Sequence, residues 1–208
     1  MIEDCTAIVM AGGDSRRMGQ DKADLVFDGE TLLRRAIATM QAIFPKVIVS
    51  VRQVRAGVDV PQVCDELPAS GPLAGLISGL AQAGTSWVFA VACDMPFVTA
   101  PAVSQLAIYR TGHQAVVPLV GGYPQPLAAF YATSALGAMR AGFAQGDRSL
   151  RDMLQRLEVR YVSEAELRDC DPQLRSFIDL DTPQDVAQAL NQDCSLDVSL
   201  GTTEHPPL

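Results

Sequence analysis

Apolar residues fall into two rhythms along this chain. Short unbroken apolar runs read as buried strands, and recurrences every three to four residues read as amphipathic helices. Thr6–Ala11 is a run of the first kind. Thr31–Ile43 is of the second kind, with Leu32, Leu33, Ala36, Ile37, Met40 and Ile43 on one side. Lys46–Val51 and Val60–Cys64 predict further strands, and Gly71–Ala83 predicts a helix rich in small residues. Trp87–Cys93 is apolar throughout, as a parallel strand covered on both faces requires. Thr99-Ala100-Pro101 is a helix start, continued by Ala102–Arg110. Gln114–Leu119 and Leu127–Tyr131 read as strands, with Pro124 and Pro126 giving the second an irregular start. Helices follow at Ser134–Ala144 and Ser149–Leu157, and strands at Val159–Val162 and Ser176–Leu180. Thr182 as cap, Pro183 at the first position and Asp185 within reach of the cap open a last helix. This alternation predicts an α/β fold with a mostly parallel sheet and helices on both faces. The rhythm stops near Asn191, so a domain over 1–190 and a disordered tail over 191–208 are expected.

Composition narrows the class. The 208 residues suit one domain, and 48% apolar with 19% charged residues describe a globular chain. The net charge of -8 argues against a nucleic-acid-binding surface, which needs basic patches. A small anion held by a few local cations is compatible with it. Five cysteines without a CxxC pair fit a reducing, cytoplasmic setting. Cys5, Cys64 and Cys93 lie in or beside predicted strands and are expected to be buried. No stretch reads as a signal peptide or a membrane span.

Chemistry concentrates after the first strand, in Met10-Ala11-Gly12-Gly13-Asp14-Ser15-Arg16-Arg17-Met18-Gly19-Gln20-Asp21-Lys22. Glycines there let backbone N–H groups approach phosphate oxygens, and Arg16, Arg17 and Lys22 supply cations. The loop is neither GxxxxGK[ST] nor GxGxxG, so it is not a Walker A loop or a dinucleotide fingerprint. The bland alternative is a tight turn with surface cations. Asp94 ends the most apolar strand, and Met95-Pro96 stops that strand behind it. A carboxylate at that edge suits Mg²⁺, or it simply caps its own turn. Asp65 follows another strand end, where it is either a ligand contact or a solvated acid.

The loop is similar to the LAGGxSxRMGxDK signature of molybdenum cofactor guanylyltransferases. Further matches follow in order: Asp65, Gly71-Pro72-Leu73-Ala74-Gly75, Cys93-Asp94-Met95-Pro96, Gly121 to Leu127 and Asp181-Thr182-Pro183. The resemblance covers about residues 5–190. It implies a Rossmann-like three-layer nucleotidyltransferase fold and transfer of GMP from GTP to the terminal phosphate of molybdopterin. It makes Asp94 the Mg²⁺ ligand, with Arg17 and Lys22 on the phosphates. It also implies nucleotide contacts at Met10, Ala11, Gly12, Gly13, Asp65, Gly71, Pro72 and Leu73. GTP and molybdopterin are the implied partners, with brief contacts to proteins that deliver or accept cofactor. Related cytidylyltransferases tend to carry Ala-Ala-Gly where this chain has Ala11-Gly12-Gly13, so GTP is favoured over CTP.

Two departures stand out. Arg52 falls where the family often has Asn at a nucleotide contact. Asp179-Leu180-Asp181-Thr182-Pro183 replaces Asn-x-Asn-Thr-Pro. Asp179 and Asp181 either accept from pterin N–H groups, add a metal ligand or repel phosphate. The molybdopterin side is expected at Gly122, Pro126, Arg148, Asp179 and Asp181, with Arg148 either a phosphate contact or a surface charge. His113 and His205 are not placed for catalysis. The rivals are a cytidylyltransferase, another small-molecule nucleotidyltransferase and a non-catalytic nucleotide-binding protein that delivers cofactor.

Overall fold

The computed structural model describes residues 1–12, 21–64, 71–182 and 184–189. Strands β1 (Cys5–Met10), β4 (Lys46–Val51), β5 (Gln62–Cys64) and β6 (Trp87–Ala92) form the parallel heart of the sheet. The full order is β10-β7-β9-β6-β1-β4-β5, where β7 is Ala115–Val120, β9 is Ala128–Ala132 and β10 is Val159–Val162. Strand β9 runs antiparallel to both β6 and β7. Chain length explains this direction: only residues 121–127 separate β7 from β9, and a parallel crossover needs about a dozen or more. Gly121 and Gly122, both at positive φ (59° and 79°), turn the chain into β8 (Tyr123–Pro124), which pairs with β7.

Helices cover both faces. Along β1 the side chains alternate, so Cys5, Ala7 and Val9 enter one core and Ile8 and Met10 the other. The first core takes Leu33, Ala36 and Met40 of α1 (Leu32–Ile43), and Val103 and Leu106 of α3 (Ala100–Ala107). The second takes Leu73, Leu76 and Leu80 of α2 (Gly71–Gln82), Met139 of α4 (Leu136–Ala144) and Met153 of α5 (Leu150–Leu154). This is the expected three-layer arrangement with a mostly parallel sheet. Small residues in α2 bring it close to the sheet: a Cβ on Gly79 would lie 2.4 Å from Ile8 Cδ1.

The expected caps are present. Thr99 Oγ1 accepts from Ala102 N at 3.4 Å, and Thr182 and Asp185 cap each other's backbone N–H groups before a helical stretch over 184–189. The expected strand Ser176–Leu180 is instead a 3-10 turn over Arg175–Phe177 followed by extended chain outside the sheet. Its backbone is already claimed: the Asp171 carboxylate accepts from Arg175 N at 3.0 Å and from Ser176 N at 2.8 Å. Leu174, at φ 53°, turns the chain before it. A backbone bond from Leu180 N to Asp94 O at 2.9 Å ties the extended part to the fold.

Several short elements had no counterpart in the apolar rhythm. The hairpin β2–β3 (Val26–Phe27 and Glu30–Thr31) turns on Asp28-Gly29, both at positive φ. Others are β8 and α6 (Glu164–Leu167), which starts with a Ser163–Glu166 capping box. Cys5 and Cys93 are buried, but Cys64 is exposed, because strand β5 at the sheet edge has one covered face. No helix among the described residues is long and apolar enough to cross a membrane. The proposed tail over 191–208, with His205 and Cys194, lies outside the described residues.

Candidate active site

The carboxyl ends of β1, β4 and β6 open into a cavity of about 360 Å³. Ligands bind at this edge in open α/β sheets. Its floor is the end of β1 (Met10, Ala11, Gly12), Ser50 of β4 and Ala92–Met95 behind β6. One wall is the first turn of α2, through Gly71, Pro72 and Gly75. Pro124–Leu127 and Arg151 of α5 also line the cavity. Asp21 and Lys22 line it together with Asp179 and Asp181, and Lys22 and Asp181 are in direct contact.

Lys22 occupies a single 3-10 turn, Lys22–Asp24, capped when Asp21 Oδ1 accepts from Ala23 N at 3.0 Å. Its ammonium donates to Asp94 Oδ2 at 2.8 Å and also to Asp181 Oδ1. Burial alone would lower the lysine pKa. Hydrogen bonds from the two carboxylates and their charges outweigh that and raise it, so Lys22 stays an ammonium. Asp94 is placed by β6: Cys93 N donates to Met10 O at 3.1 Å, which fixes the strand end beside β1. The Leu180 N to Asp94 O bond then carries Asp179 and Asp181 to the same spot. Burial raises the Asp179 carboxyl pKa, helped by the charges of Asp181 and Asp94.

This donor set is all oxygen. Among the described residues no three His, Cys, Asp or Glu side chains form a complete metal cage. A cation such as Mg²⁺, which keeps waters and substrate phosphates as ligands, needs only one or two carboxylates. Asp94 and Asp181, which share one ammonium, fit that requirement.

Of the residues singled out from sequence, Met10, Ala11, Gly12, Lys22, Gly71, Pro72, Asp94, Pro126, Asp179 and Asp181 all line this cavity. Leu73 does not; its side chain is fully buried in the core between α2 and the sheet. Arg52 is exposed beside Gly12 and outside the lining. Gly122 is at an exposed hairpin tip. Arg148 turns back on the end of α4, donating to Phe143 O at 2.8 Å and to Asp147 O at 2.7 Å with its guanidinium over the Phe143 ring. Arg151 lines the cavity instead, and its guanidinium lies 5.6 Å from the Tyr123 ring centroid. Gly13, Arg17 and Asp65 lie outside the described residues. Sequence reasoning passed over Asp21, Ser50, Gln125 and Arg151. The available signal for Arg151 was helical spacing, which puts it off the face that buries Leu150, Met153 and Leu154.

A lysine and carboxylates at this sheet edge, beside a glycine-started helix, define an α/β domain of the nucleotidyltransferase class. Residues 7–161 match the MobA-like NTP transferase domain, and the chain belongs to that family. It is 36% identical over 189 residues to a Chloroflexus aggregans protein named "Probable molybdenum cofactor guanylyltransferase", covering 87% of this chain and 91% of that one. A protein of the same name from Opitutus terrae is 38% identical over 167 residues, covering 77% and 80%. The crystal structure of molybdopterin-guanine dinucleotide biosynthesis protein A from Archaeoglobus fulgidus superposes with a TM-score of 0.80 at 27% identity, covering 92% and 99%.

Proposed function

We propose that this chain transfers GMP from GTP to the terminal phosphate of molybdopterin, releasing pyrophosphate. The observation that carries the proposal is the meeting of Lys22 and Asp94 in a cavity lined also by the first turn of α2 and by Arg151. The names of the relatives supply the two substrates.

An oxygen of the molybdopterin phosphate forms a bond to the α-phosphorus of GTP. The bond from that phosphorus to the bridging oxygen breaks, and pyrophosphate leaves with the electron pair. A phosphate monoester is already an anion at neutral pH, so no general base is required. The protein must align two anions and offset their charge. Lys22 provides a fixed positive charge on the cavity wall. Arg17 is its proposed companion from the glycine loop. Asp94, with Asp181 beside it, would hold Mg²⁺, which when bound supplies positive charge to phosphate oxygens. Gly71, Pro72 and Gly75 leave room for the base against α2, and Met10–Gly12 offer it backbone groups. Arg151 takes the acceptor-side role that Arg148 was expected to play. Free cysteines among the described residues support a cytoplasmic setting.

The test is pyrophosphate release with GTP or CTP, with and without molybdopterin and Mg²⁺. The expected result is release with GTP that requires both. Faster release with CTP would reassign the nucleotide. GTP binding without any release would leave a delivery protein in place of an enzyme.

A further inference from the structure

We infer that Arg55 is a positioning residue that holds the Lys22 turn against the cavity, and this rests on Lys22 serving the nucleotide phosphates. Lys22 stands on one 3-10 turn with no strand or long helix of its own. Its four-carbon stem has a limited length, so the region its ammonium can reach is set by where the turn sits.

Both ends of that turn are tied to Arg55, in the segment between β4 and β5. Arg55 Nη1 donates to Asp21 Oδ2 at 2.5 Å, just before Lys22. Arg55 Nη2 donates to Asp24 Oδ1, just after it. The guanidinium therefore spans the lysine's two flanks. Arg55 is itself fixed through its backbone. Its N–H donates to Gln62 Oε1 at 2.8 Å, and its carbonyl accepts from Gln62 Nε2 at 2.8 Å. Gln62 is the first residue of β5. A continuous chain of contacts thus runs from the sheet through Gln62 and Arg55 to both sides of Lys22.

An ordinary exposed ion pair contributes little, because two long side chains are ordered against screened attraction. Arg55 differs in two respects. Its side chain is only 19% exposed, and its planar fork meets two carboxylates at once. Arg55→Lys keeps the charge and loses the fork.

The test uses a property of the composition: the chain holds two lysines, Lys22 and Lys46. Lys46 Nζ donates to Ala83 O at 2.5 Å, at the opposite edge of the sheet, and serves as an internal reference. Amine acylation of the full chain, followed by peptide mass analysis, reads both. In Arg55→Ala, Lys22 should be acylated several-fold faster than in wild type while Lys46 is unchanged. Arg55→Lys should fall between the two. Asp24→Asn, which removes one prong outside the cavity, should show a smaller rise.

In GTP turnover, Arg55→Ala should lower kcat by about ten- to a hundredfold, the cost of a misplaced catalytic group. The Lys22→Ala/Arg55→Ala double variant should be no slower than Lys22→Ala alone, since Arg55 acts through Lys22. Unchanged Lys22 acylation in Arg55→Ala would overturn the inference. So would an equal rise at Lys46, or losses that multiply in the double variant. Normal turnover in Lys22→Ala, with Lys22 still released by Arg55→Ala, would sink the phosphate role of Lys22 and leave the Arg55 contact standing.

Discussion

Gly79 gives the sharpest test of how the fold sets the cavity. A Cβ at this position would lie 2.4 Å from Ile8 Cδ1, 3.2 Å from Cγ2 and 3.3 Å from Cγ1. Relaxed carbon contacts are about 3.5–4.0 Å, so the closest pair falls short by more than about 1 Å. Ile8 is fully buried in β1, between β4 and β6, and has no space to retreat. Gly79→Ala should therefore push α2 outward. Overpacking costs about 1–3 kcal/mol, offset by about 0.5–1 kcal/mol for replacing Gly with Ala in a helix. A net loss of about 1 kcal/mol is expected. Ile8→Val alone removes Cδ1 and should cost about 0.5–1.5 kcal/mol. Together the two changes refill the same space, because the alanine methyl occupies the volume left by Cδ1. The double variant should then be more stable than the sum of the single changes by about 1–2 kcal/mol, within the usual range for touching residues. Urea unfolding followed by Trp87 fluorescence measures all four species. The first turn of α2 walls the cavity, so Gly79→Ala should also raise KM for GTP, and the double variant should restore it. Additive stabilities within about 0.5 kcal/mol would refute the reasoning, since independent sites behave that way.

Other outcomes follow from the site and the caps. Lys22→Ala should lose on the order of 10²–10³ in kcat, as other charge-stabilising groups do; unchanged turnover would remove Lys22 from the mechanism. Arg151→Ala should raise KM for molybdopterin and leave KM for GTP alone, and a shift confined to GTP would place Arg151 on the wrong substrate. Glu166 has its carboxyl held down to about 2 by the Ser163 backbone N–H and hydroxyl of its capping box. A lowered folded pKa means that its contribution is complete above the ordinary 4.5 and is lost as pH falls toward 2. The gap in unfolding midpoint between wild type and Glu166→Gln should stay constant above about pH 5 and narrow below it. A gap independent of pH would deny Glu166 that role.

The apolar rhythm by itself determined the layers. Runs such as Thr6–Ala11 and Trp87–Cys93 are apolar on both alternating faces, and only a strand covered on both sides can bury them. Asp94 and the Met10–Gly12 segment were legible for the same kind of reason, since both sit at strand ends where the chain must leave the sheet. The rest depended on contacts between segments remote in sequence. Ser176–Leu180 has strand-like residues, but the Asp171 carboxylate takes the backbone N–H groups of Arg175 and Ser176, so the segment leaves the sheet. That detour brings Asp181 to Lys22 across the length of the chain. Arg148 and Arg151 look alike in sequence. The end of α4 captures the first, and the orientation of α5 delivers the second to the cavity. Local pattern reports what each segment must bury; which charged side chains meet is settled by tertiary packing, because electrostatic partners are chosen by distance in space.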